Sequence, residues 1–191
     1  LRALEYSSEE ILETFFETNT VTIKGEDVSI NLIAERLRGE VATFDIAGPN
    51  GKTIVEMGRR ITARHVRLIE DSGMKKLGVP REYLLEQITA KDIVDESTGE
   101  VAIPCNSIIT EEVLEQLFEL KVSSFETIYT NDLDCGPFIS DTMRVDPSSN
   151  RLEALVEIYR MMRPGEPPTK ESAENLFGNL FFSNDRYDLS A

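Results

Sequence analysis

The residue run whose side-chain types come closest to metal chemistry is Asn131-Asp-Leu-Asp-Cys-Gly136. A calcium-binding EF-hand loop needs oxygen ligands at positions 1, 3 and 5, glycine at position 6 and glutamate at position 12. When the count starts at Asp132, glycine falls at position 5 and Met143 occupies position 12. The spacing fails for calcium, and the run instead predicts a turn held by local hydrogen bonds from its Asn and Asp side chains.

Histidine and cysteine chemistry is also weakly supported. His65 is the only histidine, so the chain offers no imidazole pair for a metal or a proton relay. Cys105 and Cys135 stand outside any Cys-x-x-Cys pattern. We interpret them as small apolar side chains in a reducing compartment, with a disulfide or a metal site as the alternative. The sequence therefore predicts no catalytic residue, no metal ligand and no cofactor in this chain.

The basic residues near the C-terminal end form the pattern best suited to binding phosphate. Arg160 and Arg163 are three residues apart, so they share one side of a predicted helix beside a proline-rich turn. The planar guanidinium group matches phosphate oxygens. Arg151, Arg160, Arg163 and Lys170 are therefore candidates for contact with phosphate groups such as those of DNA. Pairing within the chain, such as Arg160 with Glu157, is the alternative.

Helices must position these basic residues. Ser7 and Glu10 have capping-box spacing, and apolar residues at helical period follow them. A second helix is predicted from a cap within residues 146–149 to the proline-rich turn, and Thr169 is predicted to cap a third. Between these helical ends, the alternating residues 21–30 predict a β-hairpin.

The middle of the chain contains an internal repeat, in which residues 49–79 align with residues 97–129. Each copy has a glycine turn, a short apolar run and an Ile-Thr pair, whose Thr62 or Thr110 is predicted to cap a helix. A strand-like run follows each helix. Two copies are too few for a solenoid, so we predict a duplicated strand–helix–strand module. Chance similarity between two local folds is the alternative.

The two predicted helices of the repeat carry opposite charge. The first carries Arg64 and Arg67, whereas the second carries Glu111 and Glu115. Opposite charge on a similar scaffold predicts that at least one of these faces docks a partner protein. Two ordinary solvated helix faces are the alternative.

Composition limits the class of protein. The 191 residues carry a formal net charge of −15, which argues against a free-standing nucleic-acid-binding module. No apolar run reaches the roughly 18 residues that a membrane helix needs. We predict an α+β chain in two parts: helical segments at 1–18 and 138–191, and an inserted α+β domain at 19–137 that contains the repeat. Because the chain begins at Leu1 and not at Met, we expect a piece of a longer protein.

Blocks along essentially the whole chain resemble the β subunit of bacterial DNA-directed RNA polymerase. The most specific block is residues 144–191, with Leu155-Val-Glu-Ile-Tyr-Arg-Met-Met-Arg-Pro-Gly-Glu-Pro-Pro168 and residues 185–191 within it. The other blocks are Leu1-Arg-Ala-Leu4, Glu35-Arg-Leu-Arg-Gly39, Gly58-Arg-Arg-Ile-Thr-Ala-Arg-His65, Asp95-Glu-Ser-Thr-Gly-Glu100 and Thr130-Asn-Asp-Leu-Asp134. The helical ends resemble the lobe of that subunit beside the DNA cleft. The middle resembles the lineage-specific insertion of proteobacterial enzymes, which is built from repeated β-β′ modules.

The resemblance implies a fragment of a nucleotidyltransferase that polymerises RNA on a DNA template in the bacterial cytoplasm, associated with the nucleoid. It implies the other polymerase subunits (β′, α and σ) and downstream DNA as partners, and no membrane. Transcription regulators would dock on the insertion. The catalytic magnesium ion would be bound elsewhere in the enzyme, because the aspartates that bind it and the β lysines near the nucleotide have no counterpart in this chain. The alternative is a stand-alone acidic adaptor that binds a transcription partner without joining the polymerase.

Overall fold

The computed structural model describes residues 1–131 and 133–183, so Asp132 and residues 184–191, including the polymerase-like segment 185–191, lie outside the described residues. Within the described residues the protein is a mixed α+β fold, as predicted, and its sheets are antiparallel. The helices are α1 (Ser8–Phe15), α2 (Ala63–Asp71), α3 (Glu111–Glu119), α4 (Phe138–Val145), α5 (Arg151–Met162) and α6 (Lys170–Phe181). The strands are β1 (Thr18–Lys24), β2 (Asp27–Asn31), β3 (Ile46–Ala47), β4 (Thr53–Val55), β5 (Lys76–Val79), β6 (Ile93–Val94), β7 (Val101–Ile103) and β8 (Ser124–Ile128).

The largest sheet has the strand order β5-β2-β1-β8 and is antiparallel throughout. β1 and β2 form the hairpin predicted for residues 21–30, and Gly25 in its turn has a φ of +64°, which L side chains rarely adopt. Val21 and Ile23 alternate with polar residues, so both point to the core face of the sheet. β1 is an inner strand of this sheet and pairs with β2 on one side and with β8, which is distant in sequence, on the other.

Two small hairpins, β3–β4 and β6–β7, each lead into a helix and then into an edge strand of the large sheet. Thr62 and Thr110 precede α2 and α3, as predicted from their cap positions. The Thr110 hydroxyl accepts a hydrogen bond from the backbone N–H of Val113 at 3.4 Å. Apolar faces of both helices enter one core beneath the large sheet, through Val66 on α2 and Leu114 on α3.

The backbone hydrogen bonds around the two small hairpins occur at matching positions. The Ile61 N–H donates to the Glu40 carbonyl at 2.8 Å, and the Ile109 N–H donates to the Gln87 carbonyl at 2.8 Å. Similarly, the Ala42 N–H donates to Arg59 and the Thr89 N–H donates to Ser107, each at 3.0 Å. The two hairpin regions therefore share these backbone hydrogen bonds at matching positions.

The C-terminal helices form a second apolar core of their own. Leu155 and Tyr159 of α5 pack with Phe177 of α6 and with Ala3 from the N-terminal end. The N-cap of α5 is Asn150, whose side-chain oxygen accepts a hydrogen bond from the Glu153 N–H at 3.0 Å. The prediction of a cap within residues 146–149 was therefore wrong by one position.

A third apolar cluster joins the helical ends to the middle of the chain. Ile11 and Leu12 of α1 and Met143 of α4 pack against Ile88 and Ile128. Capping of α1 is as predicted, because the Ser7 hydroxyl and the Glu10 carboxylate exchange hydrogen bonds with each other's backbone N–H groups. Among the described residues, no helix has the length and the apolar content that spanning a bilayer requires.

Candidate functional site

Two of the predicted DNA-proximal arginines lie at the end of α5, next to the proline-rich turn. Arg160 pairs with Glu157, and Arg163 pairs with Glu166 at 3.4 Å. Glu166 also accepts a hydrogen bond from the Tyr159 hydroxyl at 2.9 Å, which ties the turn back to the helix. The predicted alternative of pairing within the chain is therefore realised. Both pairs are local and solvent-exposed, so water and salt weaken them and phosphate oxygens can compete for both guanidinium groups.

The other two predicted DNA-proximal residues occupy different places. Arg151 begins α5 and contacts Glu5 at 3.2 Å and Glu174 at 3.9 Å, so it joins three segments of the helical part. Lys170 begins α6, which packs against α5 across a short connection. Arg151 lies about 13 Å from Arg160 along α5, so the structure keeps Arg160 and Arg163 together and separates Arg151 from them. Lys170 lies about one helical turn before Glu174, the α6 residue that Arg151 contacts.

The predicted basic docking residues lie on the exposed face of α2. Arg64 and Arg67 are exposed and form no ion pair with another residue of the described ranges. The lone histidine, His65, accepts a hydrogen bond from the Thr62 N–H on its Nδ1 at 3.3 Å, so it helps to begin the helix. Beside this face, the Arg60 Nε donates to a backbone carbonyl at 3.0 Å. His65 therefore has a structural role, and the arginines remain open to a partner.

The predicted acidic docking residues lie on the equivalent face of α3, where Glu111 and Glu115 are both exposed. Glu111 lies in the first turn, where the positive end of the helix dipole stabilises negative charge. In contrast, α2 has no acidic residue in its first turn and carries Arg64 there. The helix dipole therefore stabilises Glu111 at the start of α3, whereas it destabilises Arg64 at the start of α2.

The Asn131 segment forms the turn that its sequence predicts. The Asn131 side-chain oxygen accepts hydrogen bonds from the backbone N–H groups of Leu133, Asp134 and Cys135, at 2.9 to 3.0 Å. The Asn131 side-chain oxygen is therefore occupied by hydrogen bonds from the local backbone. Among the residues that the structure describes, no group of three or more His, Cys, Asp or Glu side chains could hold a metal ion.

The two cysteines are free thiols and are half-buried, both against the apolar cluster of α1 and α4. The Cys105 thiol lies 3.4 Å from the Ala90 carbonyl, to which it donates. Burial, followed by the negative charges of Glu9 and Asp92, raises the pKa of Cys105 to about 12. Since the thiolate is the nucleophile, this group is held in its unreactive form.

An open cavity of about 660 Å³ was not predicted from the sequence. One wall is built around Arg36, whose guanidinium stacks on the Tyr129 ring at 4.8 Å and donates to the Thr18 carbonyl at 2.9 Å. The Tyr129 hydroxyl in turn donates to the Arg36 carbonyl at 3.1 Å. Tyr83 also lines the cavity, and burial raises the pKa of its hydroxyl. No sequence motif marks this wall, because its members come together only in the folded chain.

A scan of the chain against models of protein families finds no family that matches.

Proposed function

We propose that this chain is a non-catalytic fragment of the β subunit of a bacterial DNA-directed RNA polymerase. The observation that carries the proposal is the polymerase-like segment 155–168, which forms the greater part of α5 and the turn after it. This segment exposes Arg160 and Arg163 at one end of a small helical core. In the proposed enzyme, that end borders the downstream DNA.

The proposed division into two domains has support from the packing. Residues 1–18 and 138–191 would form the helical lobe, and residues 19–137 would form the inserted domain. Most of the described core lies beneath the large sheet and is formed by residues between Val21 and Phe125. The helical core is formed by Ala3 and residues of α5 and α6. The core beneath the sheet and the core of α5 and α6 are thus separate, as two domains require, whereas α1 and α4 pack against the middle of the chain.

The proposed duplication of the strand–helix–strand module, at about 49–79 and 97–129, has support from the backbone. In addition to the matching hydrogen bonds, left-handed residues occur at matching places: Gly58 at φ +76° and Asn106 at φ +65° before the helices, and Gly73 at +69° and Lys121 at +51° after them. Non-glycine residues rarely adopt this conformation. Its recurrence at two pairs of matching sites favours a common module over chance similarity.

The proposed docking role of the inserted domain rests on α2. Positive charge in the first turn of a helix is unfavourable by roughly 0.3–1 kcal/mol. Arg64 occupies that position and Arg67 lies one turn further along the exposed face. The stability of α2 does not account for these arginines, whereas the binding of a partner protein would. Transcription regulators are the proposed partners of this face and of the Glu111–Glu115 face.

The remaining partners and the location follow from the proposed enzyme. They are the β′, α and σ subunits and DNA, in the bacterial cytoplasm at the nucleoid. The catalytic magnesium ion is bound by other parts of the polymerase.

DNA binding by the isolated chain tests the lobe. We expect weak binding to duplex DNA that falls steeply with salt, because phosphate contacts release counterions. The double variant Arg160→Glu/Arg163→Glu should bind more weakly and lower the slope of log K against log salt by roughly 2. The matched control is Arg59→Glu, since Arg59 also pairs locally with a glutamate three residues away, Glu56 at 3.9 Å. Equal loss in the control, or no loss in the double variant, would refute the DNA-facing role.

Regulator response in the assembled polymerase tests the docking role. Charge reversal at Arg64 and Arg67, or at Glu111 and Glu115, should change the response of transcription to regulators that bind the insertion. Basal transcription should stay unchanged, because all four residues lie on exposed helix faces of the middle segment. An unchanged response for both pairs would refute these faces as docking sites.

A further inference from the structure

The segments that contain the β3–β4 and β6–β7 hairpins have an equivalent face, which is exposed to solvent in the first segment and covered in the second. In the second segment, Ile88 and Ala90 are only 6% and 4% exposed. In the first segment, Val41 occupies the place of Ile88 and Thr43 the place of Ala90, yet Val41 is 57% exposed and Thr43 is also exposed. One face is therefore covered and its counterpart is bare.

Matching contacts establish which residues correspond. Val41 forms an isolated antiparallel bridge with Arg60, and Ile88 forms one with Ile108. The Asp45 carboxylate accepts a hydrogen bond from the Met57 N–H at 2.7 Å, and Asp92 accepts one from the Cys105 N–H at 2.6 Å. Met57 thus corresponds to Cys105, which packs beneath α1 and α4. In the bare face, Met57 is 67% exposed.

Helices cover the second face through apolar and polar contacts. Ile11 and Leu12 of α1 and Met143 of α4 lie in one cluster with Ile88 and Ala90. The Glu9 carboxylate of α1 accepts a hydrogen bond from the backbone N–H of Asp92 at 2.7 Å. An acidic amphipathic helix is therefore the kind of element that this face accepts within the protein itself.

The bare face has the charge to accept such a helix from outside. Arg60 lies beside Val41 across their bridge, so both side chains point to the same side. Arg59 is exposed next to it, and its ion pair with Glu56 is long, at 3.9 Å. Val41 and Thr43 also line the 660 Å³ cavity, so part of this face is concave. An apolar strip with two arginines at its edge complements a helix that has an apolar stripe and flanking carboxylates.

We propose that the face formed by Val41, Thr43, Met57, Arg59 and Arg60 docks an acidic amphipathic helix of a partner protein, in the way that α1 covers the equivalent face of the second segment. This inference rests on the proposed docking role of the middle segment and adds to it the site and the chemistry of the partner. The site consists of residues other than the α2 and α3 residues predicted from the sequence.

A peptide with the sequence of residues 7–17, constrained as a helix and labelled with a fluorophore, is the probe. It carries Glu9, Ile11 and Leu12, which make the covering contacts on the second face. Titration with the intact chain, followed by fluorescence anisotropy, should show saturable binding. Val41→Asp and Met57→Asp should each weaken binding about tenfold or more, because each places a charge in the apolar contact. The control is Met161→Asp, on a methionine of α5 that is 81% exposed, and it should leave binding unchanged.

Charge complementarity is tested with a Glu9→Lys/Glu13→Lys version of the peptide and with Arg60→Glu in the chain. Each alone should weaken binding, and the two together should recover part of it. Absence of saturable binding by the original peptide, or binding that Val41→Asp and Met57→Asp leave intact, would overturn the proposal. The assay contains neither DNA nor polymerase, so failure of the polymerase assignment would leave its result unchanged and would be seen in the DNA-binding and transcription experiments instead.

Discussion

Asn106 is one of the residues through which the middle of the chain holds α4, and its replacement should loosen that contact. The Ser140 hydroxyl of α4 donates to the Asn106 side-chain oxygen at 2.6 Å, and the Asn106 amide donates to the Ser140 carbonyl at 3.1 Å. Ser140 is fully buried. Asn106 also has a φ of +65°, which Asn tolerates better than most residues. One side chain therefore serves both the local turn and the docking of a helix.

Three substitutions separate these two roles. Asn106→Gly keeps the left-handed backbone and removes both hydrogen bonds, which should lower the free energy of unfolding by about 2 kcal/mol. Asn106→Ala removes the same bonds and adds the steric cost of a left-handed alanine, for a total loss of about 3 kcal/mol. The matched control is Gly58→Ala, since Gly58 has a φ of +76° and no atom within 4 Å of an added Cβ. Gly58→Ala should lower the free energy of unfolding by the steric cost alone, about 1 kcal/mol.

Urea unfolding followed by circular dichroism measures these differences, and amide hydrogen exchange locates them. Asn106→Gly should speed exchange in α4, whereas Gly58→Ala should leave α4 unchanged. Asn106→Gly with wild-type stability, or with unaltered exchange in α4, would refute the claim that this side chain holds the helix.

Three other substitutions test separate parts of the structure. Leu155→Ala should lower the free energy of unfolding by roughly 2–5 kcal/mol in urea, because Leu155 is buried in the helical core; a loss below 1 kcal/mol would contradict that packing. Arg64→Glu should raise the free energy of unfolding by about 0.5 kcal/mol, because it places negative charge at the start of α2; a loss would contradict the dipole argument. Because the pKa of Cys105 is about 12 in the folded state, the unfolded chain loses this proton first as pH rises above about 8.5. Stability should therefore fall from about pH 8.5 to 12, and Cys105→Ala should make the fall shallower; an equal pH slope in this variant would contradict the raised pKa.

Features set by neighbouring residues could be predicted from the sequence. The Ser7–Glu10 capping box, the Thr169 cap and the hairpin around Gly25 each depend on side chains within a few residues of one another. The turn at Asn131 was predicted for the same reason, since an Asn side chain bonds the backbone that directly follows it. The α5 cap was misplaced because several of residues 146–150 can cap a helix, and only the folded backbone decides among them.

Features that depend on distant residues could not be predicted. The pairing of β1 with β8 joins Thr18 to Ile128, and no local pattern specifies that partner. Asn106 and Ser140 likewise meet only after α4 packs on the second hairpin. The bare face at Val41 was missed because the sequence shows an isolated valine there, and its meaning appears only beside the covered Ile88.

The central claim, that the chain is part of an RNA polymerase β subunit, is tested most directly by the enzyme itself. RNA polymerase with transcription activity would be purified from the source organism, separated by size under denaturing conditions and digested with trypsin for mass spectrometry. The account predicts that peptides of this chain, such as residues 152–160, come from one of the large polypeptides that co-purify with activity. The same peptides in a separate polypeptide of about this length, resolved from the active enzyme, would contradict the account and favour the acidic adaptor.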